Sequence, residues 1–219
     1  MHLRAPAIML STRNHGETAV IARMLTEEDG MVAGYVAGGR GRRLRPIVIS
    51  GNLVAMDLRA KSDSQLPFAK LELISSRGPW LNEPLPAAAI GWVTALTAST
   101  LPERNAYPAI FAALSGLLEA ICHAPSARAW LFGMLQFEAL MLRELGYGAG
   151  ESGDARIVSI PSRDADLSTM LERFDAMFRP IEKHLLAGTY GEIMSARNLL
   201  RSRLARIAGG HDADAGGGP

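Results

Sequence analysis

Four arginines fall within six positions of one glycine-rich segment, Gly38-Gly39-Arg40-Gly41-Arg42-Arg43-Leu44-Arg45. Glycines let a backbone approach a ligand closely, and guanidinium forks match phosphate oxygens. No Asp or Glu lies between Asp29 and Asp57, so no neighbour in sequence neutralises Arg40, Arg42, Arg43 and Arg45. This favours polyanion binding over a merely solvated connection. The segment is not a nucleotide P-loop, because the Gly-Lys-Ser/Thr ending is absent.

Other patterns carry less chemistry. Gly148-Ala149-Gly150-Glu151-Ser152-Gly153 matches G-x-G-x-x-G, but it follows a helical pattern, not a strand, and reads as a linker. A nucleophile elbow would need Gly where Asp154 stands. Histidines 2, 15, 123, 184 and 211 are scattered and form no ligand pair. The single cysteine, Cys122, excludes an intrachain disulfide and a multi-cysteine zinc site; it reads as a small buried hydrophobe. No metal, cofactor or catalytic residue is expected. Trp80, Trp92 and Trp130 sit at helical spacing and read as core. Only Tyr35 and Phe68 are aromatic in the barrel segment, residues 1–78, which makes phosphate contact the major term and base stacking a minor one. Near the end, Arg197 and Arg201 share a helix face at i,i+4 spacing, either as a second basic contact or as a solvated face.

Charge and composition set the frame. The chain has 219 residues, 48% apolar and 21% charged, with a net charge of +1. Residues 1–78 hold 11 of the 23 basic and 7 of the 22 acidic side chains, net +4, and the remainder is net −3. A basic front end suggests a polyanion partner for that part. Arginine supplies 20 of the 23 basic residues, a bias that a GC-rich genome also produces, but codon bias does not explain clustering. No apolar run approaches the ~20 residues of a membrane span, and the N-terminus does not read as a signal peptide. The expectation is a soluble, cytoplasmic protein.

The elements follow from periodicity. Up to Arg77 short apolar runs alternate with turn residues: Ala7–Leu10, Thr18–Leu25, Met31–Ala37, Ile47–Leu58 with a break at Gly51-Asn52, and Phe68–Ile74. Five short strands suit an OB-type barrel, although Thr18–Leu25 is also compatible with a helix. After Arg77-Gly78-Pro79 the pattern turns helical. Helices are predicted over Pro86–Ser99, Tyr107–His123, from Pro125-Ser126 to a stop at Gly146, Leu167–Leu186 with a kink or break at Pro180, and Tyr190–Ala208. The fold class is therefore α+β, an N-terminal OB-fold five-stranded barrel followed by an all-α C-terminal domain. The expected domains are 1–78, 79–208 and a disordered tail, 209–219.

Several stretches together resemble the RecO family of recombination mediators in bacterial DNA repair. His15-Gly16-Glu17-Thr18, Leu25-Thr26-Glu27-Glu28-Asp29-Gly30 and the Gly38-Gly39-Arg40 loop are similar to its "GE…LT…G…KGARR" run. Phe137-Glu138-Ala139-Leu140 through Leu145-Gly146-Tyr147-Gly148 resembles "FEL…LGYG", and Ser195–Leu200 resembles "KSRELL". The likeness spans nearly the whole chain in order. It implies binding to single- and double-stranded DNA, strand annealing without catalytic turnover, and two partners. These are RecR and the C-terminal tail of the single-stranded DNA-binding protein. The site residues expected for DNA are Arg40, Arg42, Arg43, Arg45, Arg197 and Arg201. The acidic, apolar-ended tail is expected on the helical part, with Arg128 and Arg143 as the basic rim of a groove. Many members follow "LGYG" with cysteines, some binding zinc, whereas Ala149–Ser168 has none. A basic residue often precedes the "FEL" phenylalanine, whereas here Gln136 stands. The rivals from other classes are a small nucleotide-using enzyme, resting on Gly148–Gly153, and a helical protein-interaction module on a scaffolding barrel.

Overall fold

The computed structural model describes residues 2–62, 65–147, 159–186 and 191–215. Five strands come first: β1 (His2–His15), β2 (Ala19–Leu25), β3 (Met31–Val36), β4 (Leu53–Arg59) and β5 (Phe68–Ser75). A 3-10 turn (Gly78–Asn82) leads to α1 (Pro84–Thr100), α2 (Pro108–His123), α3 (Ala127–Glu144), α4 (Leu167–His184) and α5 (Gly191–Ala215). No described helix is long and apolar enough to cross a membrane.

The strands close into a barrel in the order β1-β2-β3-β5-β4, with β4 returning to β1. All pairs are antiparallel except β3 with β5. That closure and order make an OB-fold barrel, and with the five helices the class is α+β, as the sequence pattern indicates. The ambiguous run at β2 is a strand. It pairs on both edges, with β1 and with β3, and Val20, Ala22 and Met24 alternate into the barrel interior. The length of β1 lets one strand serve two neighbours: residues 2–8 pair with β4 and 8–15 with β2. A register shift between Met9 and Ser11 turns the strand between them. Ala7 and Met9 join the barrel core, whereas Ile8 and Leu10 are buried outside it, so burial along β1 shows no alternation although the strand does alternate.

One expected strand begins later than its apolar run suggests. Ile47–Leu58 enters the sheet only at Leu53; before that, the chain winds in turns. Val48 enters the barrel core, with Leu44 and Ile47 packed against it. Apolar residues here plug a barrel mouth and do not extend a sheet. Buried Asn52 secures the plug: its Nδ2 donates to the carbonyls of Pro46 and Ile47, and its Oδ1 accepts from the Arg77 N–H at 2.7 Å.

Two compact units divide the chain. One comprises Met1–Glu83 with Val93–Ser115, and the other Pro84–Trp92 with Gly116–Pro219. In the first, the Arg104 N–H donates to the Met31 carbonyl, and Arg23 Nη1 donates to the carbonyl of Ala98 at 2.8 Å. In the second, the buried faces are Trp130, Met134, Phe137 and Met141 of α3, Met170, Phe174, Met177 and Ile181 of α4, and Leu200 and Leu204 of α5. Gly146, at φ 90, ends α3 where the sequence places the stop. Helix α4 runs through Pro180 to His184 without the expected break. Its buried apolar stripe holds the helix across the one lost backbone hydrogen bond. Helix α5 continues to Ala215, into the segment whose composition suggests a tail. Once a helix is nucleated, each added residue gains a hydrogen bond. The Gly148–Gly153 segment lies outside the described residues.

Candidate nucleic-acid interface

The basic segment leaves β3 as a wound loop, not an extended connection. The Gly41 N–H donates to the Gly38 carbonyl, and the Arg45 N–H to the Gly41 carbonyl at 2.9 Å. The loop is tied to the β1–β2 turn by Arg40, whose N–H donates to the Thr18 carbonyl and whose Nη1 donates to the Glu17 carbonyl, both at 2.9 Å. Gly39 is buried, and a Cβ there would lie 2.6 Å from Val20 Cγ2, so only glycine lets the loop pass this close to β2. Winding turns Leu44 and Ile47 toward the core and leaves Arg40, Arg42, Arg43 and Arg45 exposed. Among the described residues no carboxylate pairs with any of the four. A cleft of about 400 Å³ opens beside them, lined by Thr12, Asn14, Val20, Gly39, Arg40, Arg45 and Val48.

The two helix arginines stand differently, in the other compact unit. Arg197 is only 4% exposed. Its Nη2 donates to the Phe174 carbonyl at 2.7 Å, and its guanidinium lies 4.0 Å from the Phe178 ring centroid and 4.4 Å from that of Phe174. Burial depresses its pKa, opposed by the charges of Glu138 and Asp175. Arg197 is thus a core residue, and the expectation that it contacts DNA is corrected. Arg201 is exposed but forms a two-pronged pair with Asp175 at 2.8–3.0 Å, which raises its pKa. Its fork is already filled by a carboxylate.

Arg128 and Arg143, expected at the rim of a groove, both lie on α3. They stand near opposite ends of α3, 15 residues apart, which is about 22 Å along the helix axis. Arg128 Nη1 donates to the carbonyls of Asp164 and Ala165, whereas exposed Arg143 meets the adjoining Glu144 at 3.3 Å.

The fold assembles two groups that sequence order conceals. Tyr35 and Phe68 meet edge to face with centroids 5.2 Å apart, and His15 meets Tyr35 at 5.7 Å. Their signal is the period of two, which puts both on outward positions once Val36 and Ala69 face inward. At the far edge of the barrel, Asp57 receives His2 at 3.0 Å, Arg4 at 2.9 Å and Arg59 at 3.0 Å. Hydrogen bonding from Arg59, with support from Arg4, holds its carboxyl well below the usual range. Among the described residues no group of three or more His, Cys, Asp or Glu is placed to hold a metal ion.

Comparison with known proteins bears on residues 1–156. The family model for the recombination protein O N-terminal region matches residues 1–77, and that for its C-terminal region matches 83–156. The DNA repair protein RecO of Caulobacter vibrioides strain NA1000 is 39% identical over 144 residues, 65% of this chain and 58% of the relative. That of Phenylobacterium zucineum is 35% identical over 150 residues, 68% and 60%. That of Rhodospirillum centenum is 38% identical over 143 residues, 65% and 56%. The matched stretch thus covers less than two thirds of each relative. With a barrel of OB order, a basic loop where the family motif falls, and both family models matched in chain order, the chain belongs to the recombination protein O, or RecO, family.

Proposed function

We propose that this chain is a non-enzymatic mediator of DNA repair and recombination in the cytoplasm, binding single- and double-stranded DNA and promoting strand annealing. The observation that carries this reading is the wound loop, which presents four arginines to solvent with no carboxylate partner among the described residues. Guanidiniums held this way neutralise phosphates and release condensed counterions. Annealing then needs no reacting group. One basic surface lowers the repulsion between two polyanions, and base pairing supplies the drive. The relatives, named DNA repair proteins, support the same role.

The partners proposed are RecR and the C-terminal tail of the single-stranded DNA-binding protein. An acidic tail ending in apolar residues suits the helical part, where Arg128 and Arg143 of α3 are both exposed. The test is a titration of the full chain with single-stranded and duplex DNA at two salt concentrations. Affinity should fall steeply with salt for both forms. Salt-independent or absent binding overturns the reading.

A further inference from the structure

We propose that the outer wall of the barrel carries a stacking platform for an unpaired nucleobase, built on Tyr35 and Phe68 with Arg13 and Arg59 at its ends. The proposal rests on the DNA-binding reading and deepens it: a site for bases in addition to the loop for phosphates.

The strand register makes the platform. Arg13 of β1 lies opposite Ile21 of β2, Ile21 opposite Tyr35 of β3, Tyr35 opposite Phe68 of β5, and Phe68 opposite Arg59 of β4. These five residues form one row across the barrel. The inward positions are taken by Val20, Val36, Leu58 and Ala69, so the row faces out. At about 4.8 Å per strand, the row runs roughly 19 Å along the curved barrel wall, with the aromatic pair between the two arginines.

Phe68 is 63% exposed, although the interior positions of β5 are filled by Ala69 and Leu71. A phenylalanine this open adds little to the core. It is nevertheless held: its ring meets Tyr35 at 74°, and the Tyr35 N–H donates to the Pro67 carbonyl at 2.8 Å. A fixed, solvent-facing ring is what a base can stack upon, whatever its identity.

Charge favours a polyanion over an acidic-poor protein surface. Arg13 is exposed and has no carboxylate partner among the described residues. At the other end the Arg59 fork is held by Asp57, with Nε and Nη2 each at 3.0 Å, so Arg59 borders the rings without a free fork; Arg4 and Lys70 beside that carboxylate keep this end net positive. Glu72 is the next outward residue beyond Lys70, away from the row. The platform also continues toward the basic loop. His15 packs on Tyr35, and the adjoining Asn14 lines the cleft with Arg40 and Arg45. Phosphates on the arginines and bases on the rings can thus belong to one strand.

The experiment uses the full chain and two labelled oligonucleotides of equal length, oligo(dT) and its abasic counterpart, read by anisotropy. Phe68→Ala should weaken oligo(dT) binding about tenfold, within the range of one stacked base, and leave the abasic strand unchanged. Phe68→Trp should restore affinity, and its added indole emission should be quenched by oligo(dT) but not by the abasic strand. Native affinity for oligo(dT) in a folded Phe68→Ala chain overturns the platform, as does an equal loss on both strands. So does normal oligo(dT) binding with loss of an acidic, apolar-ended peptide, which would assign the rings to a protein. The loop distinguishes the two readings. If Arg42→Glu/Arg43→Glu/Arg45→Glu abolishes binding while Phe68→Ala does not weaken it, only the platform falls. If the native chain binds neither strand, both fall.

Discussion

Trp92 Nε1 donates a 2.7 Å hydrogen bond to Glu138 Oε1 at a point closed to solvent, joining α1 to α3. The other carboxylate oxygen, Oε2, is buried with no hydrogen-bond partner among the described residues. Burial pushes the Glu138 pKa up to about 7, against the opposing effects of the Trp92 bond and the Arg197 charge. The "FEL"-like stretch thus places a carboxyl group inside the helical core.

A raised carboxyl pKa means that the folded chain binds the proton more tightly than the unfolded chain. Between about 4.5 and about 7 the folded state holds more protons, so this group's contribution to stability is full below that window and lost as pH rises through it. The size is about 3 kcal/mol. Glu138→Gln keeps an oxygen to accept from Trp92 and removes the titration. The urea midpoint of Glu138→Gln relative to the native chain should therefore rise from pH 5 to pH 8. Asp57 and Asp166, whose pKa values are lowered, act in the opposite direction but equally in both proteins. A constant difference between the two proteins would contradict the assignment.

Arg42→Glu/Arg43→Glu/Arg45→Glu should weaken DNA binding regardless of sequence and leave the melting temperature near native. Each lost phosphate contact should flatten the slope of log K against log salt by about 0.7 to 0.9. Unchanged affinity and slope would make the loop a solvated connection.

Arg197 and Arg201 lie one turn apart on α5 and should respond unequally to truncation. Arg197→Ala leaves the Phe174 carbonyl and the Glu138 charge without their partner, and should cost about 3 kcal/mol in a denaturant titration. Arg201→Ala removes an exposed pair with Asp175, and should cost less than about 1 kcal/mol. Both variants, where folded, should bind DNA with native affinity. A selective loss of DNA affinity in Arg201→Ala would return that residue to the interface.

Gly30→Ala should be among the most damaging single-methyl changes in the barrel unit. Its φ is +66°, and a Cβ would lie 1.9 Å from the backbone oxygen of Asn105. Neither backbone can yield cheaply, so the loss should be about 3 kcal/mol by thermal or urea unfolding. A near-native midpoint would show that residues 103–105 can move away from the β2–β3 turn.

Much of this molecule follows from rules that act within about ten residues. Alternation and turn residues locate β2, β3 and β5 to within a residue or two, and helical spacing with Gly146 as a stop locates α3. The basic loop is legible for the same reason: a local excess of arginine with no local acid needs no distant partner to be seen. The apolar run from Ile47 misleads because hydrophobicity alone does not distinguish a strand from a plug, and it is the closed barrel that needs one mouth filled by Val48. Arg197 and Arg201 are equivalent on a helical wheel. Only the seat of α5 on α4 sends one under Phe174 and Phe178 and leaves the other at the rim with Asp175. Tyr35 and Phe68 are 33 residues apart and lack any sequence signal for contact; the parallel pairing of β3 with β5 brings them together. Local pattern determines where chain segments are apolar, basic or bent, because each depends on neighbouring residues. Which charges are buried and which rings touch depends on partners that only closure of the barrel and packing of the helices supply.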